Sequence, residues 1–123
     1  MIAAMSGAVL VVDDDPVFRS LARRTLAAEG LVVIGEAGTV AAALAAAHAL
    51  RPDAVLLDIG LPDGDGVALA RELTALPWRP RVVLISSDPD AASTDEVLAS
   101  GAGAFVAKDD LPNAPLERLM ANE

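Results

Sequence analysis

The 123-residue sequence has no cysteine, which excludes disulfides and thiolate metal sites and leaves the redox compartment open. Its single histidine, His48, stands in an alanine-rich stretch before Arg51-Pro52, reads as exposed and is assigned no chemistry. Basic residues are few and scattered, nine against eighteen acids for a formal charge of −9. A direct nucleic-acid ligand is therefore not expected, because phosphate backbones are held by Lys and Arg. No apolar run is long enough to cross a bilayer. The opening MIAAMSG lacks the basic start and apolar core of a signal peptide. A cytoplasmic chain with no membrane partner is the expectation.

What is present suits one core. The length fits a single domain spanning 1–123 (core about 8–121), and 54% hydrophobic residues are enough to fill it. Short apolar runs occur at Ala8–Val12, Leu31–Gly35, Ala54–Leu57, Arg81–Ile85 and Ala104–Ala107. Each reads as a strand buried on both faces of a parallel sheet. Helices are expected at 16–29, 39–50, 66–76, 92–100 and 113–121. Pro16 fits a first helical turn, Gly30 a left-handed cap and Thr39 an N-cap, while Arg51-Pro52-Asp53 ends the second helix. Leu61-Pro62-Asp63-Gly64-Asp65-Gly66 is turn chemistry leading into the third helix. The alternation makes (βα)5, an α/β flavodoxin-like three-layer sandwich with a five-stranded parallel sheet of order 2-1-3-4-5.

Polar residues follow the strands. Asp13-Asp14-Asp15 ends the first, Asp58 the third, Ser86-Ser87 the fourth and Lys108 the fifth. The carboxyl ends of a parallel sheet share one edge, and ligands bind there where the strand order reverses. In the order 2-1-3-4-5 that point lies between strands one and three. Asp13, Asp14 and Asp58 then converge, with Ser86 and Lys108 flanking them. Three close carboxylates repel, so one takes a proton or a cation sits among them. An all-oxygen set favours a hard ion such as Mg2+. Mg2+, an ammonium and a hydroxyl together suit a transferring phosphoryl group, and the Asp58 carboxylate is a competent nucleophile for it.

VLVVDDDP (9–16), VLLDIGLPDGDG (55–66), VVLISSD (82–88) and GAFVAK (103–108) resemble the receiver domains of two-component response regulators, in order and spacing, over about Ala8 to Leu119. The resemblance implies a signalling switch rather than an enzyme. Asp58 takes a phosphoryl group from the phosphohistidine of a sensor kinase or phosphotransfer protein. Asp13, Asp14, Asp58 and the carbonyl of Gly60 hold Mg2+. Ser86 and Lys108 bind the phosphoryl oxygens, and Phe105 couples the change to the face of the fourth helix, fifth strand and fifth helix. That face then controls an output domain or downstream protein, or a homodimer formed on phosphorylation. Family docking on the first helix and the loop after the fifth strand makes Phe18, Arg19 and Leu111 contact candidates.

Three positions depart from the family pattern. Lys108-Asp109 stands where Lys-Pro is usual, so the usual cis bond is not expected, since a non-proline cis bond costs about 3–4 kcal/mol. Lys-Asp here is similar to receivers with a helix-turn-helix output of the LuxR/NarL kind, yet no such domain follows in this chain. Phe105 stands where Tyr is commoner. Gly60 offers no side chain to orient an attacking water, which predicts a long-lived acyl phosphate. Other readings remain. Asp13-Asp14-Asp15 also fits the D-x-D pattern of haloacid-dehalogenase-like phosphatases, and a pseudo-receiver would keep the fold for protein interaction alone. Asp15 beside Pro16 reads as a helix cap, Phe105 as core, Ser87 as a mere neighbour, and Trp78 as partial core or a contact residue.

Overall fold

The computed structural model describes residues 7–121. The absence of a signal peptide, read from residues 1–6 and Gly7, therefore lies almost wholly outside the described residues. Five parallel strands form one sheet: β1 Ala8–Val12, β2 Val32–Ala37, β3 Ala54–Asp58, β4 Arg81–Ser86 and β5 Ala104–Ala107. Their order is β2-β1-β3-β4-β5, the expected one. Between and after them run α1 Pro16–Ala28, α2 Val40–Leu50, α3 Gly66–Thr74, α4 Thr94–Ala99 and α5 Leu116–Met120.

Successive strand residues point to opposite faces, and the core divides accordingly. Val9, Val11, Leu56, Val83 and Ile85 pack with Phe18, Ala22 and Leu26 of α1 and with Leu116 and Met120 of α5. Leu10, Val12, Val55, Leu57, Val82 and Leu84 pack with Ala43 and Ala47 of α2 and Leu69, Ala70 and Leu73 of α3. Only the three central strands are sealed on both faces. β2 is an edge strand with Val32 60% exposed, which corrects the expectation that every run is buried on both sides.

The capping reads as expected in most places. Asp15 accepts from Val17 N, Pro16 opens α1, Gly30 takes φ 82° and Arg51 takes φ 49° to end α2. Thr39 accepts from Ala42 N, and Asp63 adds a cap from outside the helix, accepting from Val40 N at 2.7 Å and Ala41 N at 3.2 Å. Those N–H groups hold the Asp63 carboxyl below its ordinary range. The turn 61–66 is folded by a two-residue antiparallel pairing of Gly60–Leu61 with Gly64–Asp65, outside the main sheet.

Two helices differ from expectation. α4 begins at Thr94 behind a Ser93/Glu96 capping box and buries none of its side chains. The last helix, expected over 113–121, is the shorter α5, Leu116–Met120, and the stretch before it is a 3-10 helix, Lys108–Asn113. Pro112 and Pro115 lack the N–H that a continuous α-helix needs, so this stretch cannot be one helix. Leu111, fully buried in the α1/α5 core, anchors the 3-10 segment and with it the position of Lys108. Leu111→Ala should therefore cost about 2–5 kcal/mol of stability in urea unfolding. A cost below about 1 kcal/mol would show that the segment is not anchored there.

Candidate functional site

Strand register brings the polar residues to one edge. Val12 pairs with Leu57, so Asp13 follows β1 beside Asp58, the last residue of β3. Asp58 pairs with Ile85, and Ser86 pairs with Ala107, the residue before Lys108. Carboxylate oxygens of Asp13, Asp14 and Asp58 lie within 4.8 Å of one another, close enough that they could hold a metal ion. Asp13 is wholly buried and Asp58 6% exposed, while Asp14 is exposed.

The buried carboxylates are held from several sides. Asp13 Oδ1 accepts from Asp15 N at 2.9 Å, and the Asp13 N–H donates to Ala37 O at 2.9 Å. Asp58 Oδ1 accepts from Gly60 N at 3.2 Å. Lys108, the only lysine in the chain, places Nζ 2.6 Å from Asp13 Oδ2 and 3.5 Å from Asp58 Oδ2. The shorter contact is an ion pair without hydrogen-bond geometry, so Asp13 Oδ2 is fully buried yet has no hydrogen-bond donor. A buried carboxylate oxygen with unspent acceptor capacity, beside two more carboxylates, fits a hard divalent cation.

Electrostatics follow the burial. Removal from water pushes the Asp58 carboxyl above its ordinary value; the Gly60 N–H opposes this, the Asp13 charge adds to it, and Lys108 offsets part. Burial alone would lower the Lys108 ammonium, but the contacts with Asp13 and Asp58 outweigh it and hold Lys108 above the ordinary lysine value. Ser86 is 8% exposed at the end of β4, and its Oγ accepts from Asp88 N at 3.0 Å.

Several expectations need placing. Among the described residues no peptide bond is cis, so Lys108-Asp109 is trans as expected. Asp15 is exposed and occupied as the α1 cap, which takes the second acid of the phosphatase-like D-x-D pattern out of the metal-type cluster. Phe105 is not at the pocket. It is partly buried, and lines a groove of about 490 Å³ with Ala92, Val97 and Leu98, so its reading as plain core is only half right. Phe18 (8% exposed) and Leu111 (0%) are interior, not surface contacts. Arg19 is only partly buried, but its guanidinium is engaged: Nη1 donates to Asp13 O at 2.6 Å and Nε to Glu36 Oε1 at 3.0 Å. On α1, Val17 (76%) and Leu21 (38%) are the large apolar residues that reach solvent. Trp78 is partial core, its Nε1 donating to Pro52 O at 3.0 Å while Arg51 lies 4.5 Å above its ring; His48 is exposed against the edge of that ring.

Gly66 escaped the sequence reading as a residue of the site. A Cβ there would stand 2.4 Å from Asp58 O and 2.6 Å from Ile59 Cα, so the start of α3 is pressed against the backbone that carries Asp58. In the sequence it is one of three glycines in a turn-rich stretch, and only the close approach sets it apart from Gly64. Gly60, by contrast, is exposed, and a Cβ would meet nothing within 4 Å.

A doubly wound parallel α/β domain with a buried acidic cluster and one lysine at its carboxyl edge defines a class, and comparison gives the family. The sequence pattern of the response regulator receiver domain matches residues 9–119, and the chain belongs to that family. It is 44% identical over 103 residues to the DNA-binding transcriptional activator DevR/DosR of Mycobacterium tuberculosis, covering 82% of this chain and 47% of the relative. It is 37% identical over 109 residues to a protein-glutamate methylesterase/protein-glutamine glutaminase of Hahella chejuensis, covering 87% and 31%. Among solved structures it is similar to the signal receiver domain of NarL from Mycobacterium tuberculosis (TM-score 0.78, 37% identity, 91% and 94% covered). It is also similar to the BeF3-activated receiver domain of Klebsiella pneumoniae RstA (TM-score 0.79, 31% identity, 91% and 94%). The chain spans about half the length of the curated transcriptional regulators it matches, and under a third of the methylesterase. Among the described residues no helix is long and apolar enough to cross a membrane.

The raised Asp58 carboxyl has a stability consequence. A carboxyl whose folded pKa lies above its unfolded value stabilises the fold fully below the unfolded value, and that contribution is lost as pH rises through the folded value. Without metal, Asp58→Asn should unfold at a higher temperature than the parent protein at pH 7, with the advantage vanishing toward pH 3. An equal or lower transition at pH 7 would contradict the buried-charge reading.

Proposed function

We propose that this chain is a Mg2+-dependent phospho-acceptor switch of a two-component relay, loaded on Asp58. The observation that carries the reading is the convergence of a buried aspartate with two further carboxylates and the chain's only lysine at the sheet edge. Asp13, Asp14 and Asp58 would hold the ion together with the Gly60 carbonyl, and Mg2+, when bound, supplies positive charge against the phosphoryl oxygens.

One Asp58 carboxylate oxygen attacks the phosphorus of a donor phosphohistidine. The O–P bond forms as the P–N bond breaks, the electron pair returns to the imidazole nitrogen, and that nitrogen then takes a proton from water. The product is an acyl phosphate on Asp58. Lys108 carries the charge that keeps the buried carboxylate ionised for attack, and its ammonium then faces the added oxygens. Ser86, at the end of β4, offers a hydroxyl to the same group. A rearranged loop after β4 reaches α4 and Phe105, and the face of α4, β5 and α5 is where the signal leaves.

The donor is a sensor histidine kinase or phosphotransfer protein. The output is a downstream protein, a further domain or a homodimer; the relatives' description as transcriptional regulators favours a transcriptional output. The chain catalyses only its own loading and unloading. The alternative of a pseudo-receiver has no feature in its favour beyond the Asp109 that replaces the usual proline.

Intact-mass spectrometry after incubation with acetyl phosphate tests the reading. One added phosphoryl group that requires Mg2+ and disappears in Asp58→Ala is the expected result. A folded protein that binds Mg2+ but acquires nothing from either this donor or a phosphorylated kinase domain would sink it. The bare, open position at Gly60 leads to a second expectation. The acyl phosphate should decay slowly, and Gly60→Glu, whose Cβ would meet nothing within 4 Å, should shorten its half-life in the same mass assay. An unchanged half-life would show that no side chain there reaches the attacking water.

A further inference from the structure

Lys108 has a neighbour that its proposed role does not use. Phe18, in the first turns of α1, lies with its ring centroid 4.4 Å from Lys108 Nζ. The ammonium thus has Asp13 Oδ2 at 2.6 Å, Asp58 Oδ2 at 3.5 Å and an aromatic face as a third contact. The two carboxylate contacts are imperfect, one lacking hydrogen-bond geometry and the other long. The Lys108 side chain is only 18% exposed, so little water remains to complete its shell.

An aliphatic side chain at position 18 would fill the same core space while giving the cation nothing back. A phenyl ring does both, because its negative face attracts an ammonium, most strongly where water is excluded. The attraction also differs in kind from a hydrogen bond. A ring face has no single lone pair to satisfy, so an ammonium can shift its donors from one acceptor to another without leaving it. That property suits a lysine that must first offset two carboxylates and then face a phosphoryl group on one of them.

We propose that Phe18 is a positioning residue for Lys108, its ring holding the ammonium between Asp13 and Asp58 and thereby speeding phosphoryl transfer to Asp58. The proposal rests on the phospho-acceptor reading for its kinetic half and on geometry alone for its structural half. It also gives Phe18 a part different from the partner contact its place in the sequence suggests.

Because the chain has a single lysine, labelling with ε-13C-lysine gives one ε-methylene signal, which reports the ring directly. The variants are Phe18→Leu and Phe18→Met, which keep an apolar filler, and Phe18→Tyr and Phe18→Trp, which keep a ring face. Circular dichroism confirms that each is folded before it is compared. In the parent protein the ε-methylene protons should lie upfield of free lysine, in the ring's shielding cone. Leu and Met should abolish that displacement, and Tyr or Trp should retain it. With acetyl phosphate and saturating Mg2+, Leu and Met should slow loading roughly 3- to 30-fold, in line with the strength of a cation–π contact. The loss should fall on the maximal rate rather than on donor half-saturation, with Tyr or Trp restoring most of it. A folded Phe18→Leu that keeps the upfield signal, or loads at the parental rate, overturns the proposal. Should the parent protein itself fail to load, the phospho-acceptor reading falls, and the ε-methylene shift alone decides whether the ring holds the ammonium.

Discussion

Asp13 and Asp58 are adjacent because β1 and β3 are adjacent, and no local adjustment separates them. Their registers place the two carboxyls side by side at strand ends, both nearly without water. Two such charges in a low-dielectric site repel strongly, and each also loses its hydration. The fold is tolerable only if positive charge reaches them. Among the described residues the one cation within ion-pair distance is Lys108, delivered from β5 on the far side of β4. Much of the architecture at this edge follows from that need. β5 must end at Ala107, the 3-10 turn must begin at once, and Leu111 must be buried to keep the turn in place.

One ammonium does not balance the acids. Asp14 brings a third carboxylate to the cluster, Lys108 leans toward Asp13, and the Asp58 carboxyl remains raised. The pocket is therefore poised rather than satisfied: a divalent cation or an added proton would each lower its energy. Removing Lys108 would leave buried carboxylates uncompensated, which costs far more than the pair itself contributes. Around this centre the backbone is braced by close contacts. Gly66 lets α3 press on the Asp58 backbone, and Arg19, itself fixed by Glu36, binds the Asp13 carbonyl. Arg23 holds Glu36 in turn and, against the effect of burial and with help from Arg19, lowers its carboxyl below the ordinary glutamate value.

The sequence makes legible what depends on local pattern. Continuous apolar runs mark the central strands, and the polar residue after each run falls where a parallel sheet puts it. The buried acids, Lys108 and Ser86 could be placed for that reason, and Asp15 as a cap followed from its place before Pro16. What was hidden depends on contacts between distant segments. That β2 is an edge cannot be read from Val32-Val33-Ile34, which is as apolar as a central strand. Phe18 and Arg19 sit on a helix whose inner face is set by its packing on the sheet, and an interior aromatic looks the same in sequence as an exposed anchor. The late start of α5 is visible in principle, since Pro115 disfavours helical backbone at Ala114, but a five-residue helix lies below what periodicity resolves.

Stability is unevenly distributed about the pocket, and the unevenness has a direction. β1, β3 and β4 are sealed on both faces, while α4 has six residues, none buried, with Leu98 70% exposed. Segments with few buried contacts open at the lowest free energy. Ser86 joins the two regimes: it ends the buried β4, and its hydroxyl holds the turn at Asp88 that leads toward α4. A group that drew the Ser86 hydroxyl toward Asp58 would compete for it with Asp88 N, in the turn that leads toward α4. The rigid side of the molecule thus sets the charge problem, and the weakly held side is where a solution to that problem can be felt.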